Sequence, residues 1–365
     1  MSDYFPLHLQ NKINTRIANN TLRTLQPPLT GIDFSSNDYL GLNTNKHYQQ
    51  ALNAHSSHGS GGSRLLAGNT TAAVTTERYL AQLYNTEAAL IYNCGYTANV
   101  GLLQSVASRH DTILYDELCH ASIIDGTKLA LAKSFSFEHN NVRKLEQKLK
   151  IATGEVYVVV ESVYSMDGDC SPLQEIIDLK RKYNFNIIVD EAHATCTNPA
   201  TMWGMWQQVD DRKLFARIHT FSKAIALHGA VVVGSQALIN YLINYSRAFI
   251  YTTAMPAMYY SNIQLAHEYI ATNGEPLMLQ LQKNIKLYRS LFDFETTSTP
   301  IQVLQNLPID KLRAICATLG KHNIQLKPIV APTVPQGKER LRITLHAHNT
   351  PSELLQFHAL INAVV

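Results

Sequence analysis

The run Val156-Tyr157-Val158-Val159-Val160 offers no side chain that belongs on a solvated face. A strand of that kind is at home only in a sheet covered on both sides, and such sheets are mostly parallel. The pattern recurs along the chain. Residues 88–92, 111–115, 186–190, 214–220 and 230–233 read as further short, largely apolar strands. Helical spacing fills the intervals, over residues 70–84, 96–109, 121–132, 142–149 and 172–183, the last with proline in its first turn. This alternation predicts an α/β fold with a mostly parallel sheet flanked by helices. In such sheets ligands bind beyond the carboxyl ends of the strands.

The two ends of the chain read differently. Residues 12–25 suggest an amphipathic helix, with Ile13, Ile17 and Leu25 near one face and Pro27-Pro28 as its stop. A short strand begins at Ile32 and runs into a loop. The Gly/Ser-rich stretch 58–64 is too short for a linker and leads directly into a helix, so a structured loop is expected. After a helix over 236–245, a long helical region runs from Pro256 to about Phe292, with a break expected at Asn273-Gly274. Strand 301–304, helix 308–319, strands 324–328 and 340–345 and a closing helix from Ser352 make a smaller α+β unit. The organisation expected is an N-terminal helix and arm over 1–45, packing with the small domain. A large domain over 46–255 follows, then connecting helices and the small C-terminal domain over 256–365.

Composition excludes several classes. A net charge of +3 over 365 residues, with no lysine or arginine run of the length expected for a basic patch, argues against nucleic acid as a partner. The cysteines, Cys94, Cys119, Cys170, Cys196 and Cys316, are odd in number and form no CxxC. A disulfide framework and a zinc ribbon are therefore not expected, and no metal site is predicted. The N-terminus carries no charged-then-apolar signal pattern, and no apolar run reaches membrane-spanning length. The expectation is a soluble, cytoplasmic protein.

The chemistry concentrates between Ile187 and Lys223. One strand delivers Asp190 and, just beyond it, His193; another delivers Thr220 and then Lys223. An acid, a histidine and a lysine at strand ends suit pyridoxal phosphate. A lysine forms the Schiff base, a carboxylate pairs with the pyridinium nitrogen, and the phosphate takes backbone N–H groups at a helix start. Gly95-Tyr96, between a strand and a helix, offers such a start, with Thr220 as a hydroxyl. Asp190-Glu191-Ala192-His193 also has the letters of a helicase motor, but that reading requires a G-x-x-x-x-G-K-[ST] loop. Gly337-Lys338 is followed by Glu339, where that loop needs Ser or Thr.

An ordered series of motifs goes further. It comprises Ser36-Asn37-Asp38-Tyr39-Leu40-Gly41, Gly59-Ser60-Gly61-Gly62-Ser63-Arg64, Asn93-Cys94-Gly95-Tyr96-Thr97-Ala98-Asn99 and Asp116-Glu117-Leu118-Cys119-His120-Ala121-Ser122. Ser165-Met166-Asp167-Gly168-Asp169, Asp190-Glu191-Ala192-His193, Thr220-Phe221-Ser222-Lys223, Tyr251-Thr252-Thr253 and Arg340-Leu341-Arg342 follow. In content and order they resemble the α-oxoamine synthases, pyridoxal-phosphate-dependent C-acyltransferases of fold type I. The resemblance spans about Asn37 to His346. The loop 59–64 with Leu65-Leu66-Ala67-Gly68-Asn69 is most similar to members that condense L-alanine with a pimeloyl thioester on the biotin pathway.

The resemblance implies roles. Lys223 would hold the cofactor and move the α-proton, and Asp190 would pair with the ring nitrogen. His193 and Ser165 would bond the ring's 3′-oxygen, and His120 would stack on the ring face and meet substrate. Gly95, Tyr96 and Thr220 would bind phosphate, with Thr252 and Thr253 reaching the phosphate of the other subunit of a homodimer whose active sites lie at the interface. Arg342 would clamp the amino-acid carboxylate, and Asn37, Thr333 and Arg23 would contact substrate. The acyl donor would be carried by coenzyme A or by an acyl carrier protein. Glycine C-acetyltransferase and synthases of signalling amino ketones are the alternatives. A non-catalytic partner subunit is disfavoured because Lys223 and Asp190 are both present.

The chain also departs from the family. Asp-Glu-Ala-His is usually followed by Gly-Thr-Gly, whereas here Ala194-Thr195-Cys196 follows. Ala224-Ile225-Ala226 stands where a glycine often follows the lysine, and the usual C-terminal Thr-x-x-His is replaced around His346-Ala347-His348. Alanine and cysteine resist the torsions that glycine allows, so a different loop path after His193 is expected.

Overall fold

A computed structural model describes residues 5–25, 30–52, 58–209, 213–293, 296–331 and 333–364. Helix α1 (Leu7–Ala18) leads to β1 (Ile32–Asp33), α2 (Lys46–Ala51) and α3 (Thr71–Leu83). The central elements are β2 (Ala88–Tyr92), α4 (Gly95–Val106), β3 (Thr112–Asp116), α5 (Ala121–Leu129), β4 (Lys133–Phe137), α6 (Val142–Leu149) and β5 (Val156–Glu161). They continue through α7 (Leu173–Leu179), β6 (Asn186–Asp190), β7 (Ala216–Thr220) and β8 (Ala230–Gly234). Helices α8 (Gln236–Tyr245), α9 (Arg247–Ile250) and α10 (Ala257–Leu291) lead out of the sheet. The last part holds β9 (Ile301–Gln305), α11 (Ile309–Lys321), β10 (Ile324–Gln325), β11 (Pro328–Ile329), β12 (Arg340–Thr344) and α12 (Pro351–Asn362).

The seven-stranded sheet runs β2-β8-β7-β6-β5-β3-β4. Only β8 opposes its neighbours; every other pairing is parallel. Every residue of β5 is buried, as its apolar run requires. Each such valine contributes roughly 1.5–3 kcal/mol of burial. One face of the sheet packs on Leu102, Leu103, Ile123 and Leu242, the other on Leu145, Leu149, Ile176 and Ile177. The parallel strands end on one rim, where Glu161, Asp190 and Thr220 close β5, β6 and β7. A second sheet, β11-β12-β9, is antiparallel, and β1 pairs in parallel with β10, tying residues near position 32 to the C-terminal part.

Several elements differ from expectation for identifiable reasons. The first helix occupies Leu7–Ala18 and stops at Asn19-Asn20, where Asn20 takes a φ of 53°. Pro27-Pro28 lie outside the described residues. Strand β4 escapes pattern reading because it is an edge strand with only Phe137 buried. Helix α10 is unbroken over 35 residues despite Gly274 and Pro276. Ile263, Ala266, Ile270, Met278, Leu281 and Ile285 are all buried along it, so tertiary packing overrides the local propensity. The strand expected over 324–328 is two, because Ile324–Gln325 pairs with β1 whereas Pro328–Ile329 pairs with β12. Among the described residues no helix is long and apolar enough to cross a membrane.

Candidate active site

Parallel registration places Glu161 directly opposite Asp190 at the carboxyl rim. Two buried carboxylates therefore lie side by side, 3% and 6% exposed. Each is tied down. Asp190 accepts from Asn99 Nδ2 at 2.7 Å and from the Ala192 N–H at 2.9 Å, and Glu161 accepts from the His120 N–H. Burial, and next the Asp190 charge, push the Glu161 carboxyl up. Lys223, three residues beyond β7, shares a cavity of about 220 Å³ with both acids, His120, His193 and Thr220. Burial pushes its ammonium down against the pull of Asp190 and Glu161, which keeps a fraction of the amine neutral and nucleophilic.

The two histidines are oriented by neighbours. The Ser122 N–H donates to His120 Nδ1 at 3.2 Å, and Ser122 Oγ lies 2.7 Å from the same nitrogen. Asn99 bonds Ser122 Oγ as well as Asp190, linking the acid to the histidine through one amide. His193 is buried, with Nδ1 2.6 Å from the Tyr39 hydroxyl. Burial, then the Lys223 and Arg342 cations, hold its imidazole well below the ordinary range, so it is neutral. The cavity is also lined by Gly95 and Tyr96, in the first turn of α4, with Thr220 and Ser222. A Cβ on Gly95 would stand 3.4 Å from Thr220 Oγ1, so the helix start and the hydroxyl abut. First-turn N–H groups lack intrahelical acceptors and favour anions.

The donor set fits pyridoxal phosphate. It combines a lysine, a fixed buried carboxylate, two neutral-leaning imidazoles, and a helix start with two hydroxyls in one cavity. Asp190, His193, Lys223, His120, Gly95, Tyr96 and Thr220 are brought together there. Arg342, buried on β12, donates Nε to the Ser165 carbonyl at 2.5 Å, Nη1 to Thr344 Oγ1 at 2.9 Å and Nη2 to Asn37 Oδ1 at 2.9 Å. Ser165 thus meets Arg342 through its backbone carbonyl, and none of Ser165, Arg342 and Asn37 is among the residues lining the cavity. Arg23 donates to Thr333 Oγ1 at 2.6 Å, and that pair does not line the cavity either. Thr253 accepts from Asn93 Nδ2 through its carbonyl and bridges to Ser63; it and Thr252 lie outside the lining of the cavity.

Residues missed in the sequence are Glu161, Asn99, Ser122, Ser222 and Tyr39. A glutamate closing an all-apolar strand was the available signal for the first. The others sit inside the motifs quoted above.

The loops lacking glycine keep glycine-like torsions. Cys196 and Ala226 take φ values of 58° and 56°. The left-handed region costs an L-residue roughly 1–2 kcal/mol. Their surroundings differ: Cys196 is fully buried in the core, whereas Ala226 is only partly buried. Ala226→Gly is therefore expected to be neutral or to stabilise by up to about 1 kcal/mol, as released strain outweighs the entropy of glycine. Cys196→Gly is expected to destabilise by about 1–2 kcal/mol through the lost buried thiol. Thermal unfolding of the two variants should move in opposite directions, or only the second should move.

A lysine and an acid at adjacent strand ends of a doubly covered parallel sheet define a cofactor-dependent transferase architecture. The chain belongs to the aminotransferase class I and II family, whose model matches residues 30–361. It is 36% identical to the 8-amino-7-oxononanoate synthase of Emericella nidulans, over 90% of this chain and 87% of that protein. With the enzyme of the same name from Lysinibacillus sphaericus it shares 37%, over 88% and 85%. Among solved structures it is similar to 8-amino-7-oxononanoate synthase from Francisella tularensis, with a TM-score of 0.78, 27% identity and coverage of 91% and 97%. Sphingomonas wittichii serine palmitoyltransferase superposes with a TM-score of 0.88 at 24% identity, over 100% and 98%. That second likeness is one of fold, the α/β fold type I of pyridoxal-phosphate-dependent transferases.

Proposed function

We propose that the chain is an 8-amino-7-oxononanoate synthase, a pyridoxal-phosphate-dependent C-acyltransferase of biotin biosynthesis. It would join L-alanine to a pimeloyl thioester with loss of CO₂ and release of the carrier's thiol. The observation that carries this reading is a set of relatives of that name, 33–38% identical across 86–90% of the chain, combined with the Asp190–Lys223 cavity. When bound, the cofactor supplies an electron sink conjugated to the amino acid's α-carbon.

The chain's own groups supply the rest. Lys223 Nζ holds the cofactor and then takes the α-proton, a role that its downshifted amine suits. Asp190, fixed by Asn99 and Ala192, holds the proton of the ring nitrogen. The α4 start with Thr220 and Ser222 receives the phosphate, and His120 covers one ring face. His193 donates from Nε2 to the ring oxygen. Arg342 has five N–H donors; Ser165, Thr344 and Asn37 engage three and the Tyr39 phenol lies within reach of the guanidinium, so what remains would serve the substrate carboxylate. Arg23 and Thr333 would meet the acyl donor. Thr252 and Thr253, outside their own protomer's cavity, would serve the partner's phosphate site in a cytoplasmic homodimer. The large unit over 46–255 would carry the cofactor, and the unit over 256–365 the carboxylate clamp.

A turnover screen tests the reading. The purified enzyme with cofactor is offered L-alanine, glycine or L-serine against acetyl, medium-chain and pimeloyl thioesters, on coenzyme A and on carrier protein. L-Alanine with a pimeloyl thioester should give the largest kcat/KM. A preference for glycine with acetyl thioester would overturn the assignment in favour of a C-acetyltransferase.

A further inference from the structure

Tyr39 is fully buried, and its hydroxyl reaches across the fold to His193, a residue 154 positions away. The phenol has one proton and two neighbours that could accept it. Asn37 Oδ1 is 3.4 Å away and already accepts from Arg342 Nη2 at 2.9 Å, whereas His193 Nδ1 is 2.6 Å away. The shorter contact to the less occupied acceptor takes the proton. Both partners are uncharged: burial pushes the phenol up to about 12 and the imidazole well down. Arg342 lies within hydrogen-bond reach of the phenol, and Lys223, Arg342 and His120 face the imidazole, so the Lys223 and Arg342 cations also oppose an imidazolium. A neutral imidazole that accepts at Nδ1 must carry its hydrogen on Nε2.

We propose that Tyr39 is a positioning residue that, through its hydrogen bond to His193 Nδ1, fixes the Nε2–H tautomer and so presents a donor to the cofactor's phenolic oxygen. The inference rests on the cavity being a pyridoxal phosphate site, but its first half concerns the protein alone. Tyr39 thereby also joins two parts of the site. The same Asn37 amide that stands beside its hydroxyl holds Arg342, so the carboxylate clamp and the ring-oxygen donor share one partly buried amide.

The test has two arms. In the cofactor-free full chain, ¹⁵N NMR of labelled histidine, with His193 assigned by its loss in His193→Asn, should report the Nε2–H tautomer. An Nδ1–H tautomer overturns the proposal whatever the cofactor does. In the holoenzyme, the pH midpoint of the cofactor's visible band is compared among wild type, Tyr39→Phe, His193→Asn and a protein with 3-fluorotyrosine at position 39. A hydrogen bond donated to the phenolic oxygen stabilises the deprotonated chromophore, so weakening it raises the midpoint. Tyr39→Phe should raise it by about half a unit, toward the His193→Asn value. The more acidic fluorotyrosine, nearly isosteric with tyrosine, should lower it, a shift that a merely structural role would not produce. An unmoved midpoint in both Tyr39 proteins, with a moved one in His193→Asn, overturns the proposal. A wild type with no visible band, but with the Nε2–H tautomer, overturns the cofactor reading instead.

Discussion

Lys223→Ala is expected to lower kcat by about 10³-fold or more and to yield a protein that loses its visible cofactor band on gel filtration. The amine does two jobs in the proposed reaction, as covalent anchor and as the group that moves the α-proton, and alanine can do neither. The fold should survive. Lys223 stands where burial already disfavours its charge, so removing it takes away a group that the surroundings partly destabilise. Its loss removes a cation that favours the ionised form of Glu161, so that carboxyl is pushed further up and stays protonated at neutral pH. Circular dichroism and the thermal midpoint should therefore change little while activity and absorbance vanish. A variant that kept the band and turned over would show that another amine holds the cofactor.

Most of the sheet was legible because its strands are apolar runs of a kind that nothing else accommodates. Val156–Glu161 and Asn186–Asp190 are fully or almost fully buried, and burial on both faces leaves little freedom in sequence. The residues at their ends were legible for the same reason: a charge that follows such a run stands at the rim. Edge strand β4 carries no comparable constraint, since its exposed positions accept Lys133 and Ser136 as readily as any others. Pairings of distant residues lie outside any periodicity. Nothing near Tyr39 indicates that its hydroxyl meets His193, and nothing near Arg342 indicates Asn37, 305 residues away. The glycine-free loops show the converse. A missing glycine was expected to redirect the backbone after His193. In the structure Cys196 takes a left-handed torsion itself, held by its own burial, its N–H bond to the Met202 carbonyl and the Thr195 bonds to the Glu191 carbonyl and His219.

Asp190→Asn separates chemistry from folding. The amide fills the same space but cannot hold the ring nitrogen's proton as a counter-charge, so the electron sink weakens. A loss of kcat of about 10²-fold or more is expected, the scale at which a preorganised electrostatic partner acts. Glu161 does not take over, although it lies opposite in register: its carboxylate is occupied by the His120 N–H, and burial keeps it inclined to stay protonated. The structural cost is smaller and calculable in kind. Asp190 presents one oxygen to Asn99 and the other to Ala192, and asparagine has only one to offer, so one buried donor loses its acceptor. That costs about 1–3 kcal/mol, partly offset by removing one of two adjacent carboxylates. In a chain of 365 residues such a cost moves the thermal midpoint by only a few degrees. Activity at 25 °C, far below unfolding, should therefore fall by orders of magnitude in a protein that is still fully folded and still binds cofactor through Lys223. If kcat instead fell only in proportion to the folded fraction, Asp190 would be a structural acid and the ring nitrogen would need another partner. Glu161→Gln, measured alongside, would identify it.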